Sequence, residues 1–264
     1  MKITISILAS VIISTFWTLA LSKRLRPKLL GDAIYKRDLE TRHVSTQKKI
    51  VLFHNFLRSR VKPSASDMLE MTWHQGAAED AQRWAETCKD LTHDNTTGRW
   101  VEEYGSCGQN IFIANMKVPW FFAIKIWYLE HQNFTYGGSS NIPSLVGHYT
   151  QMVWYSSHKI GCGFHYCGPD KVKQPYYNYV CNYCPIGNHP DKFDTPYTRG
   201  EPCGNCPGQC KYKKLCTNGC EYADLWMNCY EINSTWHQWL CGDPRRERHH
   251  ACKATCLCDQ TMIR

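Results

Sequence analysis

Sixteen cysteines are the residues of this chain whose spacing most constrains their chemistry. None precedes Cys88, and ten fall between Cys203 and Cys258. A reducing cytosol sustains that density only where metal ions hold the thiolates, so the first reading is an oxidising compartment and disulfide chemistry. Spacing leaves the pairing open. A second set could do binding chemistry. Between Cys241 and Cys252, Arg245, Arg246, Arg248, His249 and His250 form a basic loop, and Trp226, Trp236 and Trp239 lie nearby in sequence. Cations beside aromatics on a rigid scaffold suit a macromolecular target. The plainer alternative is a solvated loop with tryptophans standing in for a small core. A nucleophile is hard to place: disulfides claim the thiols, and neither a nucleophile elbow nor a zinc-protease motif is present.

The elements that must position these residues begin at the N-terminus. Lys2 precedes an apolar run from Ile3 to Leu21, and Ala20-Leu21-Ser22 offers the small residues of a cleavage site. Residues 1–22 are read as a signal peptide, with an uncleaved anchor as the alternative. Asn95, Asn133 and Asn233 are glycosylation sequons, which fit export. Net charge is +8, and residues 23–44 hold seven Lys/Arg against three acids. This basic extension is a solvated leader, or a contact for an anionic glycan or membrane surface. Nucleic acid is not expected, because no motif supports it and the charge sits on a tail.

Helical spacing places Ile50, Phe53, His54, Leu57 and Val61 on one helix that ends at Pro63. His54 on that apolar face is, taken alone, a core histidine. Residues Ala77 to Cys88 form a second helix with Ala77, Ala81, Trp84 and Cys88 on one face. A third is expected from Pro119 to about His131, with Phe122, Ile126, Leu129 and Glu130 sharing a face. Lys159 to Cys167 and Tyr176 to Cys184 are strand candidates. Helices first and strands later predict a layered α+β domain. Residues 188–219 form a Pro/Gly-rich linker and small disulfide hinge, and 220–258 a last cysteine-rich module.

Two segments carry a resemblance. Gly147-His148-Tyr149-Thr150-Gln151-Met152-Val153-Trp154 and Tyr179-Val180-Cys181-Asn182-Tyr183-Cys184-Pro185 resemble the two signatures of the CAP superfamily. His54-Asn55 with Arg58 and Arg60, and Met68-Leu69 before Trp73, match its start. Cys203-x-x-Cys206, Cys210 and Cys216-Thr217-Asn218-Gly219-Cys220 resemble the hinge of cysteine-rich secretory proteins. The run ending Cys256-Leu257-Cys258 is similar to an ShK-like toxin module. The resemblance implies a three-layer α-β-α sandwich over 45–187, then the hinge, then a small helical module. It implies the pairs Cys88–Cys167, Cys107–Cys184, Cys162–Cys181, Cys203–Cys210, Cys206–Cys216, Cys220–Cys258, Cys229–Cys252 and Cys241–Cys256, each contributing about 2–4 kcal/mol.

The resemblance also implies a cleft where two His and two Glu converge, here His54, Gln109, Glu130 and His148. Gln109 stands where the family usually has Glu. His54 and His148 with Glu130 would hold Zn²⁺ weakly, with water completing the shell. The expected protein is secreted, mostly monomeric, needs no cofactor, and binds an ion channel or cell-surface receptor in venom or in the male tract. Arg245, Arg246, Arg248, Trp236 and Trp239 are its expected binding residues. The alternatives are a metal-dependent hydrolase at the cleft, or a lipid or sterol carrier.

Overall fold

The computed structural model describes residues 30–264. The signal segment read over 1–22 and the basic residues Lys23, Arg24, Arg26 and Lys28 lie outside the described residues. Helix α1 spans Val44–Arg58, β1 Thr72–Trp73 and α2 Gln75–Glu86. Next come β2 (Trp100–Val101), β3 (Gly105–Ser106) and β4 (Gly108–Ala114), then α3 (Trp120–Leu129) and α4 (Pro143–Met152). Strands β5 (Lys159–Cys167) and β6 (Tyr176–Cys184) have the bounds read from the sequence. The sheet order is β1-β5-β6-β4, with β1 parallel to β5 and the other pairs antiparallel.

Alternation along the central strands builds three layers. On β6, Tyr179, Cys181 and Tyr183 face the main core with α1, α3 and α4. Asn178, Val180 and Asn182 face α2, where Asn178 and Asn182 donate to the carbonyls of Ala85 and Ala77. The sheet receives α2 closely because β5 has glycine at two same-face positions. A Cβ at Gly161 would lie 2.1 Å from the Ala78 nitrogen, and one at Gly163 2.3 Å from that of Gln82. Alanines 77, 78, 81 and 85 complete that contact, and all are buried. Gln82 then bonds both polar groups of the Phe164 backbone.

The third helix is apolar on both of its faces. Its buried residues are Trp120, Ala123, Ile124, Trp127 and Tyr128. Phe122 and Ile126 point outward, because the indole N–H groups of Trp120 and Trp127 reach Leu39 and Ile111 carbonyls inside. Counting apolar residues could not choose between two faces that are both apolar.

Beyond the sandwich, β7 (Cys210–Lys211) and β8 (Leu215–Cys216) form the hinge hairpin. It is fixed to the sandwich by Cys216 N–H to Met68 O and Glu70 N–H to Cys216 O, both 2.8 Å. Helices α5 (Cys229–Cys241), α6 (Glu247–Ala251) and α7 (Lys253–Leu257) make the last module. It is tied back by Tyr104 Oη donating to Glu221 at 3.0 Å and by Lys159–Glu221 at 2.8 Å. The bonds are Cys88–Cys167, Cys107–Cys184, Cys162–Cys181, Cys203–Cys210, Cys206–Cys216, Cys220–Cys258, Cys229–Cys252 and Cys241–Cys256. These are the pairs the resemblance implies. Among the described residues no helix is long and apolar enough to cross a membrane.

Candidate functional site

Strand β4 is an edge strand, and its first residues leave it on opposite faces. Asn110 turns toward α4 and donates to His148 O at 3.0 Å. Gln109 turns the other way and meets the loop after α2. A cleft of about 510 Å³ opens across this edge, lined by His93, Gln109, Asn110, His148 and Asn188 among others.

Each cleft histidine is held by its Nδ1. The Glu130 carboxylate, in the turn after α3, accepts His148 Nδ1 at 2.6 Å. Its second oxygen accepts the backbone N–H groups of His148 and Tyr149 at 2.8 and 3.0 Å. Gln109 Oε1 accepts His93 Nδ1 at 3.1 Å and the Asp94 N–H at 3.0 Å, while its amide nitrogen donates to Asn182. A hydrogen bond at Nδ1 leaves the Nε2 lone pair free. Partial burial of the His93 ring lowers its pKa below the usual histidine value; Gln109 raises it, and Arg99 and His148 push it down further. His93 is therefore neutral at pH 7.

His54 is not in this cleft. It is fully buried, with Nε2 3.0 Å from Tyr183 Oη and Nδ1 2.8 Å from Ile50 O. Burial holds it neutral, with a pKa of about 4. Both ring nitrogens are occupied, so it cannot ligate a metal. The reason is periodicity: His54 lies on the stripe of α1 that packs against the sheet. The second imidazole of the cleft is His93, in an Asp/Thr/Asn-rich loop without any periodic pattern. Its position five residues after Cys88, whose disulfide fixes the loop, was the signal available in the sequence.

His93 and His148 are the two imidazoles that line this cleft. Among the described residues they belong to no group of three or more His, Cys, Asp or Glu side chains close enough to share an ion, as a tight or catalytic zinc site would need. Glu130 and Gln109 are already spent on orienting the rings. The cysteine cluster Cys203, Cys206 and Cys216 is no alternative, because its sulfurs are in disulfides. Gln109→Glu should strengthen the site: a carboxylate on His93 Nδ1–H raises the ring's basicity. Zinc affinity by calorimetry is expected to rise about tenfold, and the His93 pKa by NMR to move upward. An unchanged affinity would remove Gln109 from this role.

The hydroxyls next to these residues are not activated. Thr150 Oγ1 donates to Val146 and Gly147 carbonyls, and Ser106 Oγ has no hydrogen-bond partner.

The expected binding residues of the last module cluster differently from the cleft. Trp236 and Trp239 are 63% and 48% exposed, so they are not its core; Leu240 and the buried half-cystines Cys229 and Cys252 are. Arg248 lies 4.6 Å over the Trp239 ring and donates to Trp239 O. Arg245 and Arg246 both reach Asp243, at 3.1 and 3.3 Å, and remain largely exposed. Lys253 sits 5.9 Å from the Tyr222 ring, a Lys–aromatic pair not seen in the sequence. Of the sequons, Asn95 and Asn133 are exposed and Asn233 is half-buried in α5.

Comparison with known proteins follows the same division. The family model described as "Cysteine-rich secretory protein family" matches residues 51–183, and the one described as "Crisp" matches 203–263. Cysteine-rich secretory protein 2 of Cavia porcellus is 43% identical over 225 residues, 85% of this chain and 88% of that protein. Cysteine-rich secretory protein 3 of Equus caballus is 48% identical over 183 residues, 69% of this chain and 73% of that one. The crystal structure of NaASP2 with Zn²⁺ superposes with a TM-score of 0.54 at 28% identity, over 65% of this chain and 94% of that chain. Na-ASP-1 gives 0.53 at 26% identity; the match spans 65% of this chain and 46% of that one.

Proposed function

The chain belongs to the cysteine-rich secretory protein family, and from that membership we propose that it is exported and acts by binding, its last module presenting a contact surface to an ion channel or another cell-surface target. One observation carries this reading. Three disulfides within residues 220–258 hold exposed aromatics beside exposed arginines. Met227 and Tyr230 are 102% and 75% exposed, and Trp236 and Trp239 project with them. A crosslinked scaffold loses little conformational freedom on binding, so aromatic and arginine contacts on it convert efficiently into affinity. Non-enzymatic action is supported by the hydroxyls beside the cleft, which have no base partner.

The test is electrophysiology with the full secreted chain on potassium and calcium channels. Modulation should weaken at least about tenfold in R245Q/R246Q/W236S. All three residues are exposed, so the fold should survive. Absence of any current change from the correctly disulfide-bonded protein would defeat the reading.

A further inference from the structure

Helices α1 and α3 lie side by side and run in the same direction on one side of the sheet. At one end Phe53 meets Phe121, with ring centroids 4.9 Å apart. At the other, Arg60 covers the Phe56 ring at 4.1 Å, its charge reaches Tyr128, and Lys125 lies 5.9 Å from the same tyrosine ring. The inner stripes, Ile50 and Leu57 with Ile124 and Trp127, are core. The outer stripes remain open: Leu52 is 64% exposed, Phe56 46%, Phe121 44%, Phe122 40% and Ile126 38%. Scattered exposed apolar residues are ordinary, but five on two adjoining helices form a patch that marks an interaction surface.

Charge selects the occupant. Neither helix carries an Asp or Glu. Lys48, Lys49 and Arg60 are exposed along or just beyond α1, and Lys125 is half-exposed on α3. Asp38 lines a cleft with Lys49, Phe53 and Phe121 at one end of the strip, and Glu130, which follows α3 at the other, is already paired with His148. A second copy docked face to face would set cations against cations. An anionic bilayer supplies what the face lacks, an apolar layer for half-exposed rings and negative headgroups for the flanking cations.

We propose that this face docks on an anionic bilayer surface, with Phe56, Phe121, Phe122 and Ile126 entering the interface and Lys48, Lys49, Arg60 and Lys125 meeting the headgroups. It is separate from the aromatic and basic face of the last module and independent of its target. The test is co-sedimentation of the full secreted chain with vesicles of phosphatidylcholine alone, or containing about 30% phosphatidylserine. Binding is expected to the anionic vesicles and to fall with salt. The pairs F56S/F121S and K49Q/K125Q should each weaken it by about tenfold or more. R245Q/R246Q, on the last module, should bind like the unaltered chain. Circular dichroism and a free-thiol assay confirm that each pair is folded. Equal binding to neutral vesicles, or helix-face pairs that bind unchanged, overturns the proposal. So does a dimer in sedimentation that F56S/F121S abolishes.

Discussion

Replacing Arg58 by methionine should cost the fold about 3–5 kcal/mol, read as a lower denaturant midpoint under non-reducing conditions. The guanidinium is 1% exposed and spends all five of its N–H donors on main-chain carbonyls. Nε and Nη2 reach Leu69 O at 3.0 and 2.7 Å, Nη1 reaches Met152 and Trp154 at 2.8 Å each, and Nη2 also reaches Tyr155 at 3.2 Å. One side chain thereby joins the end of α1, the segment before β1 and the turn after α4. Methionine fills similar volume and supplies no donor, so the carbonyls are left buried and unpaired. Asp67, 4% exposed, also loses its nearby cation. Arg58→Lys keeps the charge but not the five-pronged geometry, so it should recover only part of the loss. Arg60→Ala, two residues on and exposed, should stay within about 0.5 kcal/mol. If Arg58→Met comes within that range too, the carbonyl cluster does not depend on Arg58.

Arg58 also marks what could be read from the chain before its fold. Its identity and spacing from His54 and Asn55 were visible as a pattern; its role as a five-donor hub was not, because its acceptors come from residues 69, 152, 154 and 155. Strands β5 and β6 were legible because aromatics and β-branched residues alternate between glycine- and proline-rich turns. The neighbouring edge strand β4 was not, since it opens on Gly-Gln-Asn. The cleft was half legible. His148 and Glu130 sit at motif positions, and the fold brings them to 2.6 Å. Gln109 also stands where the motif placed it. His54 was placed in the cleft by its position in the family motif, although its apolar helix face alone reads as core, whereas a loop histidine such as His93 gains meaning only when β4 closes on it. Spacing grouped Phe122 and Ile126 on one face of α3 without saying whether that face is buried, and it is the exposed one. Amphipathic periodicity identifies a buried stripe only when the other face is polar.

Acidification should unfold this protein through two buried histidines, at a cost of about 3 kcal/mol each between pH 7 and pH 4. His54 and His158 are 0% and 5% exposed, and burial takes both to a pKa of about 4. His158 Nδ1 is 3.0 Å from Ser156 O, and Nε2 lies 3.5 Å from Tyr104 Oη. A folded pKa below the unfolded value, near 6.5, means that the unfolded chain binds the proton first. Stability is therefore full above that value, is lost as pH falls toward 4, and levels off below. The slope within this window is about 2.7 kcal/mol per pH unit for the two sites together. Asp67 acts in the opposite sense. Burial raises its pKa, so the folded chain takes that proton first and regains some stability at the acidic end. The decisive readout is therefore the slope, not the absolute stability. Denaturant midpoints measured from pH 7 to 4.5 should fall steeply in the unaltered chain. His54→Gln should lose about half of that slope and the double variant with His158→Gln most of it, even if both are less stable at pH 7. An undiminished slope in the double variant would assign the acid sensitivity to other groups. A flat profile in the unaltered chain would mean that neither ring is held neutral by the fold.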